Sequence, residues 1–190
     1  ASPGCQILVA AGTYPESLTI DKMVRLIGES GAPNTTIQGL ASLPVVEISE
    51  IAGTGPVQVS GFTLSGGSVG VETVSNAMLN DTLIDGSVIG VLQLSPAVGA
   101  DPVVRLQHST VEQNQIGIRT EAGSLSLLAT TVRDHTGTGI EMLGGQLEMA
   151  SSLVTDGNGT CVQVGVGATA NIEFSTITRC DVGARNLNGG

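Results

Sequence analysis

Between residues 116 and 190 the chain restarts itself every 22 residues. Ile116-Gly117-Ile118, Thr138-Gly139-Ile140, Thr160-Cys161-Val162 and Val182-Gly183-Ala184 begin at that interval. Each interval also holds a second related unit, in turn Ala129-Thr130-Thr131-Val132, Ala150-Ser151-Ser152-Leu153 and Phe174-Ser175-Thr176-Ile177, with a turn built on Asp134, Asp156 or Asp181 soon after. A fixed period of this size describes a solenoid, in which no unit buries its own apolar face and stacking on neighbours completes the core. Two columns run back through the less regular region. A glycine column reads Gly70, Gly90, Gly117, Gly139, Cys161, Gly183, and a threonine column reads Thr36, Thr63, Thr82, Thr110, Thr131, Ser152, Thr176. Strand-like runs of three to six residues, with no helical periodicity, make the chain all-β.

The reading is therefore a single parallel β-helix domain over residues 1–190. Residues 1–40 form an opening coil, 41–115 form irregular coils with loop insertions, and 116–190 form regular coils. About seven coils at a pitch of ~4.8 Å make a rod roughly 30–35 Å long. The insertions are Ser95 to Pro102 and Glu50 to Pro56. Alternation places Ile116, Ile118 and Thr120 in the core and Gly117, Arg119 and Glu121 outside, and likewise Thr138, Ile140 and Met142 against Gly139, Glu141 and Leu143. The inward stack then reads Val71, Val91, Ile118, Ile140, Val162, Ala184. Aromatics are only 2% of the chain, so Val, Ile, Leu, Ala and Thr must build this core.

Seven basic against 17 acidic residues leave a net charge of −10. Nucleic acid and anionic membrane surfaces are thereby excluded as partners, because both need clustered Lys and Arg. An anionic polysaccharide would need calcium as a bridge. No run of about 18 apolar residues offers a membrane span. Of the three cysteines, Cys161 and Cys180 lie nearly one repeat apart, which makes them candidates for a bond between neighbouring coils. Two small buried hydrophobes is the alternative. Cys5 receives no role. The opening Ala1-Ser2-Pro3-Gly4 reads like a start cut from a longer precursor.

Val9-Ala10-Ala11-Gly12-Thr13-Tyr14-Pro15-Glu16, followed by Ile20, Lys22, Leu26-Ile27-Gly28 and Thr36-Ile37, resembles the opening coil of the right-handed parallel β-helix proteins of the pectin-lyase-like superfamily. The closest likeness is to members with generic β-helix repeats and no catalytic motif. The resemblance implies a right-handed coil and a secreted, periplasmic or cell-surface location. It also implies a groove along one sheet, where active pectate lyases carry acidic residues for calcium and a basic residue for proton abstraction. Here that outward column reads Glu72, Leu92, Arg119, Glu141, Gln163, Arg185, with Arg119 and Glu141 expected as a cross-strand ion pair. The polygalacturonase Asp-Asp pair, Gly-His-Gly and Arg-Ile-Lys are missing, as is the Gln-Asp of pectin methylesterases.

Asp81, Asp85, Asp134, Asp156 and Asp181 scatter around turns and are not expected to form a paired acid and base. His108 and His135 lack a third metal-ligating partner, and calcium on turn carboxylates is the one ion left open. Tyr14, Phe62 and Phe174 are too separated to make an aromatic sugar platform. One threonine column falls short of an ice-binding plane, and three Asn-X-Thr sequons begin at Asn34, Asn80 and Asn158. The function expected is a non-catalytic structural or interaction module that meets other copies or neighbouring domains through uncapped helix ends. The alternative is a protein that binds or cleaves polysaccharide.

Overall fold

The computed structural model describes residues 4–51, 55–97 and 99–188. Of the two insertions, Ala52, Gly53 and Thr54 in one and Val98 in the other lie outside the described residues, as do Ala1, Ser2 and Pro3. The chain winds into a parallel β-solenoid of about 8 turns, one more than the repeat count suggests. Its only helical piece among the described residues is the short 3-10 turn Ala32–Asn34.

Each turn contributes strands to three faces. The A face stacks Cys5–Val9, Val24–Gly28, Val57–Ser60, Ala77–Asn80, Val103–Gln107, Ser124–Leu128, Gln146–Ala150 and Thr169–Glu173. The B face stacks Gly12–Tyr14, Thr35–Gln38, Thr63–Ser65, Leu83–Asp85, Thr110–Glu112 and Thr131–Arg133. The C face stacks Leu18–Ile20, Val46–Ile48, Val69–Thr73, Ile89–Gln93, Ile116–Thr120 and Ile140–Met142. In the last two turns the long strands Leu153–Val164 and Thr176–Asn186 run through both the B and C faces. Every pairing is parallel and nearly in register, so a residue sits above its counterpart one coil away.

Left-handed residues turn the corners. Between the A and B faces, Gly61, Asp81, His108, Ala129, Ser151 and Phe174 have φ between 48° and 75°. Between B and C, Gly66, Gly86, Gln113, Asp134, Asp156 and Arg179 have φ between 53° and 79°. One such residue redirects the strand within a single peptide step, at a cost of roughly 1–2 kcal/mol for each non-glycine. Asp134 and Asp156 are thus the turn residues the repeat indicates, but in the last coil Arg179 takes that place and Asp181 does not.

The alternation breaks where each C-face segment begins. Ile118, Ile140 and Val162 are fully buried and stack as expected on Val71 and Val91, with Ala184 exposed at the end. Gly117 and Gly139 are also buried, whereas Ile116 and Thr138 are only half-buried, so the expected inside and outside are exchanged at these two positions. The backbone bends inward there. A Cβ on Gly117 would meet the Gly139 carbonyl oxygen and lie 2.5 Å from Nε2 of His135, and one on Gly90 would lie 2.5 Å from the Gly117 carbonyl oxygen. The glycine column marks where backbones of successive coils approach too closely for a side chain.

The threonine column divides as well. Thr36, Thr63, Thr110, Thr131 and Thr176 stack outward on the B face with Leu83 and Leu153 between them. Thr82 and Ser152 instead belong to an internal ladder with Ser109 and Thr130, all at most 5% exposed. Each hydroxyl donates to the carbonyl two residues back, as Ser152 does to Ala150 at 2.8 Å. Ser109 also accepts from the amide of Thr82 at 3.2 Å, and Ser152 from that of Thr130 at 3.1 Å. The corner amides are satisfied inside the core in this way.

Replacing Gly117 by Ala is expected to lower unfolding free energy by about 1–3 kcal/mol, the usual cost of overpacking. Gly183→Ala, whose Cβ would meet only Ile177 at 3.9 Å, is expected to change it by less than about 0.5 kcal/mol. Urea denaturation of both variants checks the pair.

Candidate functional site

The outward column of the C face is continuous in register. Thr19, Glu47, Glu72, Leu92, Arg119, Glu141, Gln163 and Arg185 occupy it coil after coil. Strand alternation and coil stacking together put these side chains on one strip at about 4.8 Å steps. Thr19 and Glu47 extend the column beyond the part legible in the repeat, because the early coils carry no Gly signature.

Two chemistries share the strip. In its middle, Arg119 Nε donates to Glu141 Oε2 at 2.6 Å, and Gln163 Nε2 donates to the other carboxylate oxygen at 3.5 Å. Arg119 and Glu141 are partly exposed, which limits their pair to about 1 kcal/mol. Toward the first coils, Glu72 lies over Glu47, and burial followed by that like charge pushes its carboxyl above the ordinary range. Glu47 accepts from Thr19 Oγ1 at 3.4 Å. Arg185, at the far end, makes no ion pair with a described residue. The basic group in mid-strip is therefore held by a carboxylate on the next coil, while the raised carboxyl lies two coil steps from it, across Leu92.

A second like-charge step lies on the B face. Asp85 stacks on Glu112, and burial together with Glu112 pushes the Asp85 carboxyl up. Glu112 is held from the next coil by Arg133, whose Nε donates to Oε2 at 2.7 Å. Asp156 is bound by Arg179 at 2.7 Å. Asp81 stands at an A–B corner while Asp134 and Asp156 occupy the B–C corner of successive coils, and among the described residues no three His, Cys, Asp or Glu side chains gather into a metal-sized group.

The histidines separate completely. His108 is an exposed corner residue with φ 48°, not a strand residue. His135 is 2% exposed and stacks beneath Asn114 in a second internal ladder. Its Nδ1 lies 3.3 Å from the Asn114 amide nitrogen, where it can accept, and Nε2 has no partner. Asn114 in turn accepts from the Ser87 amide at 2.8 Å. Burial is the largest influence on His135 and lowers its pKa; backbone contacts to Asn114 and Val111 and the charges of Asp134 and Glu112 oppose it. No sequence signal announces this burial, since Asp134-His135-Thr136 reads only as a turn.

Cys161 and Cys180 are joined by a disulfide, with Cα atoms 5.6 Å apart. Cys161 takes the glycine-column place in its coil. Cys180 lies opposite Gly157, and an irregularity in register between Gly157 and Thr160 takes up the lateral offset between the two cysteines. Cys5, partly exposed, is free. Comparison with protein-family models, with curated proteins and with solved structures gives no match for this chain.

Closing a loop of this length constrains the unfolded chain by about 3 kcal/mol. The Cys161→Ser, Cys180→Ser double variant is expected to lose most of that from the last coil, seen as faster amide exchange over 169–186 with residues 57–128 unchanged. Because His135 binds a proton more readily unfolded than folded, its contribution is fully present above pH ~6.5 and is lost as pH falls toward its lowered folded value. Urea unfolding between pH 7.5 and 5.5 should show stability falling on acidification, and His135→Asn should flatten that slope.

Proposed function

We propose that this chain is a non-catalytic structural or interaction module, associating through the edges of its terminal coils with further β-coils of other copies or neighbouring domains. One observation carries the reading. Ile7 belongs to the inward A-face column, in register with Leu26, yet is 37% exposed, and at the other end Ile172 of the same column and Ile177 of the inward B-face column are only half-buried. Inside the rod the first column is covered completely at Leu79, Leu106 and Leu127, and the second at Val132 and Val154. A strand edge that presents core side chains beside unpaired amides and carbonyls is a template for another strand.

The charged groups support the same reading. Arg119, Arg133 and Arg179 are each held by a carboxylate from another coil, an arrangement that joins coils and leaves these cations no free role. Membership in the pectin-lyase-like superfamily, with its right-handed coil, is part of the proposal and rests on the opening segment Val9 to Ile37. Secreted, periplasmic or cell-surface location is supported by the Cys161–Cys180 bond, since disulfides persist in oxidising compartments.

Sedimentation velocity over a hundredfold concentration range tests the association. The 190-residue protein is expected to form larger species as concentration rises. Ile7→Lys or Ile172→Lys, which would bury a charge at the joint, should weaken that association tenfold or more with unchanged circular dichroism. A particle that stays monomeric throughout would overturn the reading.

A further inference from the structure

The A face carries a depression that is independent of the terminal edges. It has a volume of about 350 Å³, and its lining includes Arg105, Ser126, Leu128, Glu148, Ala150 and Glu173. Its origin is visible in the register. One outward column runs Arg105, Ser126, Glu148, Asn171, and the neighbouring one runs Gln107, Leu128, Ala150, Glu173. The short side chains Ser126 and Ala150 lie between longer ones, so the sheet surface is notched there. The volume is at the lower end of the range for small-molecule sites.

Opposite charges face each other across the notch. Arg105 and Glu148 are both exposed, and neither makes an ion pair with a described residue. They are two coil steps apart, about 10 Å between Cα atoms, too far for their chains to pair comfortably across Ser126. Glu173 adds a second carboxylate on the Glu148 side, oriented by Asn171 Nδ2 at 3.1 Å. Leu128, 41% exposed, supplies an apolar strip between the charged rims. These features set Arg105 apart from Arg119, Arg133 and Arg179, each of which is already occupied by a carboxylate of the chain.

From this geometry we infer that the notch binds a small linear zwitterion. The carboxylate would lie at Arg105, the ammonium at Glu148 and Glu173, and a short methylene chain over Leu128 and Ala150. The overall charge of −10 favours this class over a simple anion, which the surrounding field repels, and a net-neutral ligand enters without that cost. A free ω-amino acid and the C-terminal lysine of a peptide share the required pair of charges.

Titration of isotope-labelled protein with 6-aminohexanoate, followed by amide shifts, tests the site, with hexanoate and hexylamine as half-ligands. Shifts are expected at residues 105–107, 126–128 and 148–150, with millimolar affinity, as two exposed ion pairs allow, and each half-ligand should bind about fivefold more weakly. Arg105→Gln and Glu148→Gln should each cost the zwitterion about fivefold, while Arg185→Gln on the C face leaves its affinity unchanged. All three positions are exposed, and an unchanged amide spectrum outside the notch verifies folding. Nα-acetyl-lysine binding as tightly as 6-aminohexanoate would assign the chemistry to C-terminal lysine, and weaker binding would assign it to free ω-amino acids. No saturable shift below about 100 mM, equal binding of hexylamine, or unchanged affinity in Arg105→Gln would each overturn the inference.

Discussion

Coil-on-coil hydrogen bonding is the constraint from which the rest of this protein follows. Parallel strands of successive turns pair nearly in register, so each backbone must repeat the shape of the one beneath it. Every residue then has as its nearest neighbours the residues at the same place one turn above and below. What a position tolerates depends on how well a side chain packs against copies of its own kind.

Aliphatic side chains satisfy that condition without further help, and Leu79, Leu106 and Leu127 form a dry column. Hydroxyls satisfy it when each can donate backward and accept from the coil before, as Ser109 and Ser152 do, or donate both backward and to the coil before, as Thr130 does to Leu128 and Leu106. Carboxylates do not. Glu72 beside Glu47 and Asp85 beside Glu112 have their carboxyls pushed up, by burial first and by the like charge second, and of these four only Glu112 is held by an arginine of the next coil, Arg133. The imidazole of His135 fits by burial in its neutral form. The disulfide lies where such support thins, because the last coil has a neighbour on one side only among the described residues.

Much of the architecture was legible from spacing. The period predicted a parallel solenoid, and the columns Val71 to Val162 inside and Glu72 to Arg185 outside align in register as read. The errors arise at corners and at one break inside a strand. A left-handed corner residue consumes a position without advancing the alternation, so phase read across a corner slips by one. Thr82 and Ser152 therefore appeared to belong with Thr63 and Thr131, whereas Ile116 appeared to face inward because alternation breaks within its own strand, where Gly117 and Ile118 are both buried. His135, which follows the corner at Asp134, turns inside, a placement that local pattern did not fix.

The sequence by itself determined that the molecule is a stack of β-coils with an aliphatic interior, because a strict period and a scarcity of aromatics leave few other ways to bury the apolar side chains. It also determined that Glu72, Leu92, Arg119, Glu141, Gln163 and Arg185 share the outward strip on the C face. Only the tertiary structure decided which polar groups turn inward, which cations are already held, and where short side chains leave a notch in the A face. Those outcomes depend on corner dihedrals and on residues about a full turn away, which lie beyond the reach of local pattern.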